Sequence, residues 1–124
     1  MGIIRQDLLV KGEKKEGQLI ILFDTGAARS LVKSKVAEEF TAPRDLPTAL
    51  ELTVADGHRV SCARYCNLVV EIGGKEIVIQ PLLVDSLPVP LIFGALDMEA
   101  YVIKVDLARR RLDLSEFTGY LFAL

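Results

Sequence analysis

The chain has 124 residues and a hydrophobic fraction of 51%, which excludes a disordered chain and predicts a single folded domain over residues 1–124. A formal net charge of −2 gives no basic surplus for nucleic acid or for an anionic membrane surface. No apolar run is long enough to span a bilayer, and residues 1–10 lack the apolar core of a signal peptide, so a soluble cytoplasmic protein is expected.

In chain order the elements read as mostly β. Residues 3–10 are apolar around Arg5-Gln6-Asp7, and the charged, glycine-flanked residues 12–17 are a turn. The unbroken apolar run Leu19-Ile20-Ile21-Leu22-Phe23 predicts a strand buried on both faces. Val32, Val36 and Phe40 recur every four residues among charges, which predicts an amphipathic helix over residues 30–40. Pro43 and Pro47 bound a predicted loop. Residues 51–54 and 59–65 flank Ala55-Asp56-Gly57-His58, a hairpin signal. Gly73-Gly74 marks a second hairpin between residues 68–72 and 76–84. After the proline-punctuated loop 85–90 come a short strand over 91–93 and one or two helical turns over 95–100. Residues 101–105 and 111–114 predict strands, and the uncharged tail 117–124 is apolar enough to seek burial against a partner.

Two segments carry chemistry. Asp24-Thr25-Gly26-Ala27 follows the apolar run directly, so a strand delivers one carboxylate to a sharp turn. Further on, Pro90-Leu91-Ile92-Phe93 ends in Gly94. From residue 19 to about residue 114 the order of parts resembles the retropepsin-type aspartic peptidases, including one motif per chain. The resemblance implies a mainly β, closed barrel-like domain with one or two short helices. It also implies an obligate homodimer in which each subunit gives one aspartate. The pattern departs from the retroviral enzymes at Ala28 and Ala95, where an acid and an arginine usually pair near the interface. Arg29 and Asp97 are candidates for a substitute pair.

The resemblance assigns the roles. Asp24 is the catalytic carboxylate. Thr25 hydrogen-bonds across the two-fold axis, and Gly26 allows a close backbone approach. Ala27 lines the cleft. Ala55, Asp56, Gly57 and His58 form a flap that closes over an extended peptide. Val54, Ala55, Leu82, Pro88 and Ile92 are pocket candidates. Two such carboxylates about 3 Å apart cannot both ionise, so they share a proton. The ionised one takes a proton from water while its mate supports the scissile carbonyl oxygen.

The expected function is therefore an aspartic endopeptidase acting on peptides or proteins, with no cofactor or metal. A second reading keeps the fold and drops the chemistry, leaving a dimeric peptide-binding or assembly module. A third, remote reading is a zinc or thiol protein on His58, Cys62 and Cys66, which are spaced to share a face of one element. Two cysteines make no disulfide framework, and both are expected to be reduced and dispensable.

Overall fold

The computed structural model describes residues 2–53 and 57–120. Strands β1 (Ile3–Lys11) and β2 (Glu16–Asp24) form a long antiparallel hairpin, in register from Ile3↔Asp24 to Lys11↔Glu16. Strand β3 (Leu31–Lys33) leads directly into helix α1 (Ser34–Phe40). A second hairpin joins β4 (Arg44–Thr53) to β5 (Arg59–Tyr65), and a third joins β6 (Leu68–Ile72) to β7 (Lys75–Ile79). The turn of the third is Gly73-Gly74, with φ of 56° and 78°, a pair of positive angles that only glycine adopts without strain. Then follow β8 (Leu82–Val84), β9 (Leu91–Phe93), helix α2 (Ala95–Tyr101) and a small ribbon of β10 (Lys104–Asp106) and β11 (Arg111–Asp113).

The sheet order is β4-β5-β8-β3-β9-β2-β1-β6-β7. At its centre β9 lies between β2, which it parallels, and β3, which it opposes. Phe23 pairs with Phe93 in register, and their rings stack at 4.8 Å between centroids. The residues that follow, Asp24 and Gly94, are therefore brought side by side. The central strands are apolar on both faces because each face is covered by its own apolar cluster. Alternate residues Ile21, Phe23, Val32, Leu83, Leu91 and Phe93 enter the main core. Their neighbours Leu22, Leu31, Leu82, Val84 and Ile92 enter a second apolar cluster, which Leu50 and Leu52 of β4 and Val60 of β5 pack against.

Several boundaries differ from the sequence expectation. Residues 31–33 are strand, not the start of the helix, because β8 and β9 pair with both their edges. Val32 is buried as a strand residue, and the helical face is carried by Ala37 and Phe40. Pro47 lies inside β4 rather than in a loop. β4 is an edge strand, where a missing N–H is tolerated, and its register with β5 shifts between Asp45 and Leu50. The predicted strand 76–84 breaks at Gln80-Pro81, which carries the chain from β7 at one sheet edge to β8, an inner strand between β5 and β3. Tyr101 ends α2 instead of starting a strand, and Val102 caps the helix in the left-handed region at φ 57°. Only the end of β2 is buried, since Ile20 stays 40% exposed where the hairpin leaves the sheet centre. In the apolar tail Phe117 is buried and Tyr120 exposed, and residues 121–124 lie outside the described residues.

The cysteines are free, as expected, but they are not on one face. Cys62 belongs to the second cluster, whereas Cys66, just past the end of β5, enters the main core. Burial pushes the Cys66 thiol from its ordinary 9.0 up to about 11, against a smaller opposing effect of the Thr41 hydroxyl. Ionisation is thus easier in the unfolded chain, and the resulting stability is intact below pH 9 and lost between pH 9 and about 11. The loss should reach roughly 2–3 kcal/mol. Urea titrations of the wild type and Cys66→Ala across that window should show the extra alkaline loss in the wild type alone.

Candidate active site

Asp24 closes β2, half-buried, and shares its strand face with Leu22 of the second cluster. The chain turns immediately. The Gly26 N–H donates to Asp24 Oδ1 at 2.8 Å, and the Ala27 N–H donates to the Asp24 carbonyl at 3.1 Å. This local turn aims the carboxylate and fixes one of its oxygens. Thr25 is anchored to Gly2, the residue just before β1: its N–H donates to the Gly2 carbonyl at 3.0 Å, and its Oγ1 accepts the Gly2 N–H at 2.7 Å. The hydroxyl proton has only a long contact to the same carbonyl, at 3.3 Å.

The loop is also tied to the start of α2. Ala95 N–H donates to the Ala27 carbonyl at 2.7 Å, and Leu96 N–H to the Ala28 carbonyl at 3.1 Å. Ser30, 3% exposed, accepts the Gly94 N–H at 3.0 Å and donates to the Asp97 carboxylate. Asp97 is therefore held by Ser30, and no Arg29–Asp97 ion pair forms among the described residues. Sequence reasoning passed over Ser30, because nothing local marks a serine whose two partners lie far along the chain. Ser30→Ala would leave a buried N–H and a carboxylate short of a partner. We expect it to lower stability by about 1–3 kcal/mol, measured by urea denaturation.

The other predicted site residues divide. Ala27, Leu82 and Ile92 come together in or against the second cluster, beneath the β4–β5 hairpin. Beside them Arg29, Leu46, Tyr65, Gln80 and Leu82 line a cavity of about 100 Å³. Pro88 does not join them: it is exposed, and its neighbours Leu87 and Val89 fill the cluster instead. Gly57 and His58 are exposed at the hairpin end, Gly57 with φ 90°. Val54, Ala55 and Asp56 lie outside the described residues. The described residues contain no group of three or more metal-ligating side chains, and the split of Cys62 from Cys66 removes the proposed zinc trio.

A family model described as retroviral aspartyl protease matches residues 3–119. The chain belongs to the retroviral aspartyl protease family. Its fold is similar to the retroviral protease-like domain of Ddi1 from Leishmania major, with TM-score 0.63 and 14% identity over 94% of this chain and 91% of that one. The simian foamy virus (mac) protease matches at TM-score 0.47 and 14% identity, over 76% of this chain and 92% of that one. No curated protein sequence matches significantly.

Proposed function

We propose that the chain is an aspartic endopeptidase that works as a homodimer, with one Asp24 from each subunit. The single observation that carries this reading is the Asp24-Thr25-Gly26 turn, held at the end of a central strand and braced by Gly94 and Ser30, in a member of a protease family. One carboxylate per chain is half of the required pair. In the dimer the ionised Asp24 removes a proton from water, and the protonated mate donates to the carbonyl oxygen as it becomes tetrahedral. Thr25 and Gly26 shape and anchor the turn. Ala27, Leu82 and Ile92 form the apolar floor of the cleft, and the β4–β5 hairpin, with the exposed Gly57 and His58 near its end, closes over an extended peptide. The sheet is read as the barrel-like acid-protease domain, acting on peptides or proteins in the cytoplasm without cofactor, nucleic acid or membrane. Among the described residues no helix is long and apolar enough to cross a membrane.

Incubation with a mixed peptide library, with and without pepstatin, tests the reading. Pepstatin-sensitive cleavage supports it. A wild type that binds extended peptides without cutting them moves the weight to the peptide-binding module.

A further inference from the structure

Two arginines of the described residues are half-buried, Arg29 and Arg64, and the others are exposed. Arg64 has its acid: its Nη2 lies 3.5 Å from Glu38 Oε1. Arg29 has none, since no carboxylate pairs with its guanidinium among the described residues. No side-chain nitrogen there is both sealed from solvent and unbonded, so the guanidinium stays within reach of a ligand. Its backbone is fixed. The Arg29 carbonyl packs against Gly94, Ser30 is held by Gly94 and Asp97, and the Ser30 carbonyl accepts the Leu82 N–H at 3.0 Å. Burial pushes the Cys62 thiol up, Glu51 of β4 adds to this and Arg29 opposes both, which sets the Arg29 charge beneath the β4–β5 hairpin. No ion pair joins Glu51 to Arg29.

The cavity of about 100 Å³ at Arg29 suits an anion. Besides the guanidinium it is lined by Tyr65, whose hydroxyl makes no hydrogen bond among the described residues. Gln80, also in the lining, spends one Nε2 hydrogen on Asn67 Oδ1 at 2.9 Å and keeps the other. Leu46 and Leu82 are the apolar walls. A guanidinium fork between apolar walls fits the carboxylate of a short side chain. Leu82 also belongs to the cleft floor with Ala27 and Ile92. Arg29 follows Asp24 by five residues, so at most about 18 Å separates their backbones. An extended peptide rises roughly 3.3 Å per residue, and so reaches Arg29 within about five residues of the bond held at Asp24. We propose that this cavity selects a Glu or Asp side chain at one fixed position near the cleavage point, with Arg29 as the specificity-determining residue. The inference rests on the endopeptidase reading and gives it a substrate class.

A mixed library of extended peptides, incubated with the full chain and read by mass spectrometry, tests it. Peptides cut by the wild type should be enriched in Glu or Asp at one fixed position, at least ~10-fold over the uncut library, as a charge-assisted hydrogen bond allows. Arg29→Gln should remove most of that enrichment, and Arg29→Glu should turn it towards Lys and Arg. Enrichment is a ratio within one sample, so a variant that folds less well still reports it. Lys35→Glu, the same charge change at an exposed position on α1, should keep the wild-type preference. Cleavage by the wild type without an acidic preference overturns the proposal and leaves the peptidase standing. So does a preference that survives in both Arg29 variants. Peptides captured by the same chains are sequenced in parallel. Acidic peptides that the wild type holds through Arg29 but never cuts leave the cavity standing without the peptidase. A wild type that captures peptides without that preference and cuts none, or that neither cuts nor captures, overturns both.

Discussion

Asp24→Asn should abolish hydrolysis and leave a folded dimer. The amide is nearly isosteric with the carboxylate, and its oxygen still accepts the Gly26 N–H that now stands 2.8 Å from Asp24 Oδ1. The turn therefore keeps its shape. What is lost is the chemistry, since an amide neither takes a proton from water nor shares one with its mate. In a homodimer one substitution removes both groups, and a loss of more than ~10³-fold in kcat is expected from the scale of general acid–base catalysis. Removing two mutually repelling carboxylates should also leave the variant dimer at least as tight as the wild type at neutral pH. Activity that persists in Asp24→Asn would place the catalytic group elsewhere.

Gly94→Ala should be the most damaging single methyl in the described chain's site region. The obstacle is space and not backbone conformation, because Gly94 sits at φ −90° and ψ 172°, which any residue adopts. An added Cβ would fall 2.4 Å from the Arg29 carbonyl carbon, 2.6 Å from its oxygen and 2.8 Å from the Ser30 nitrogen. All three are backbone atoms of the segment that follows the Asp24 turn, so no side chain can swing aside. Relief must come from separating β9 from the segment leading into β3, which breaks the Gly94–Ser30 and Ala95–Ala27 hydrogen bonds. We expect a loss of about 3 kcal/mol or more, a fall of roughly 10 °C in Tm for a chain of this size. Activity should drop further than stability alone requires, because the Asp24 turn loses its brace. A Tm within a degree or two of wild type would show that the two strands can part freely.

The parts of the fold that were legible in the sequence were those fixed by neighbours in the chain. Gly73-Gly74 announces its own hairpin, and the apolar run before Asp24 announces a strand that ends in a carboxylate. Gly94 was legible as the end of a second apolar run, although the reason for glycine there, the Arg29 backbone, lies far away in sequence. The illegible parts depend on distant partners. Residues 31–33 follow a helical period yet become strand because β8 and β9 flank them. Pro47 reads as a breaker and is accepted because β4 is an edge. Cys62 and Cys66 look equivalent by spacing, but the chain leaves β5 at Tyr65, and Cys66 turns into the other core. Ser30 joins Gly94 and Asp97 only after β9 has been laid between β2 and β3.

The central claim is that one site is built from two copies of Asp24, and subunit mixing tests it most directly. Wild-type chain at fixed concentration is allowed to exchange subunits with increasing Asp24→Asn chain, and cleavage is followed. Each mixed dimer holds a single carboxylate and is inactive. With equal amounts of the two chains, activity should fall to about half that of the wild type alone, and with a ninefold excess of the variant to about a tenth. Activity that stays constant while the chains demonstrably exchange would mean that each Asp24 works without its mate, and would contradict the account.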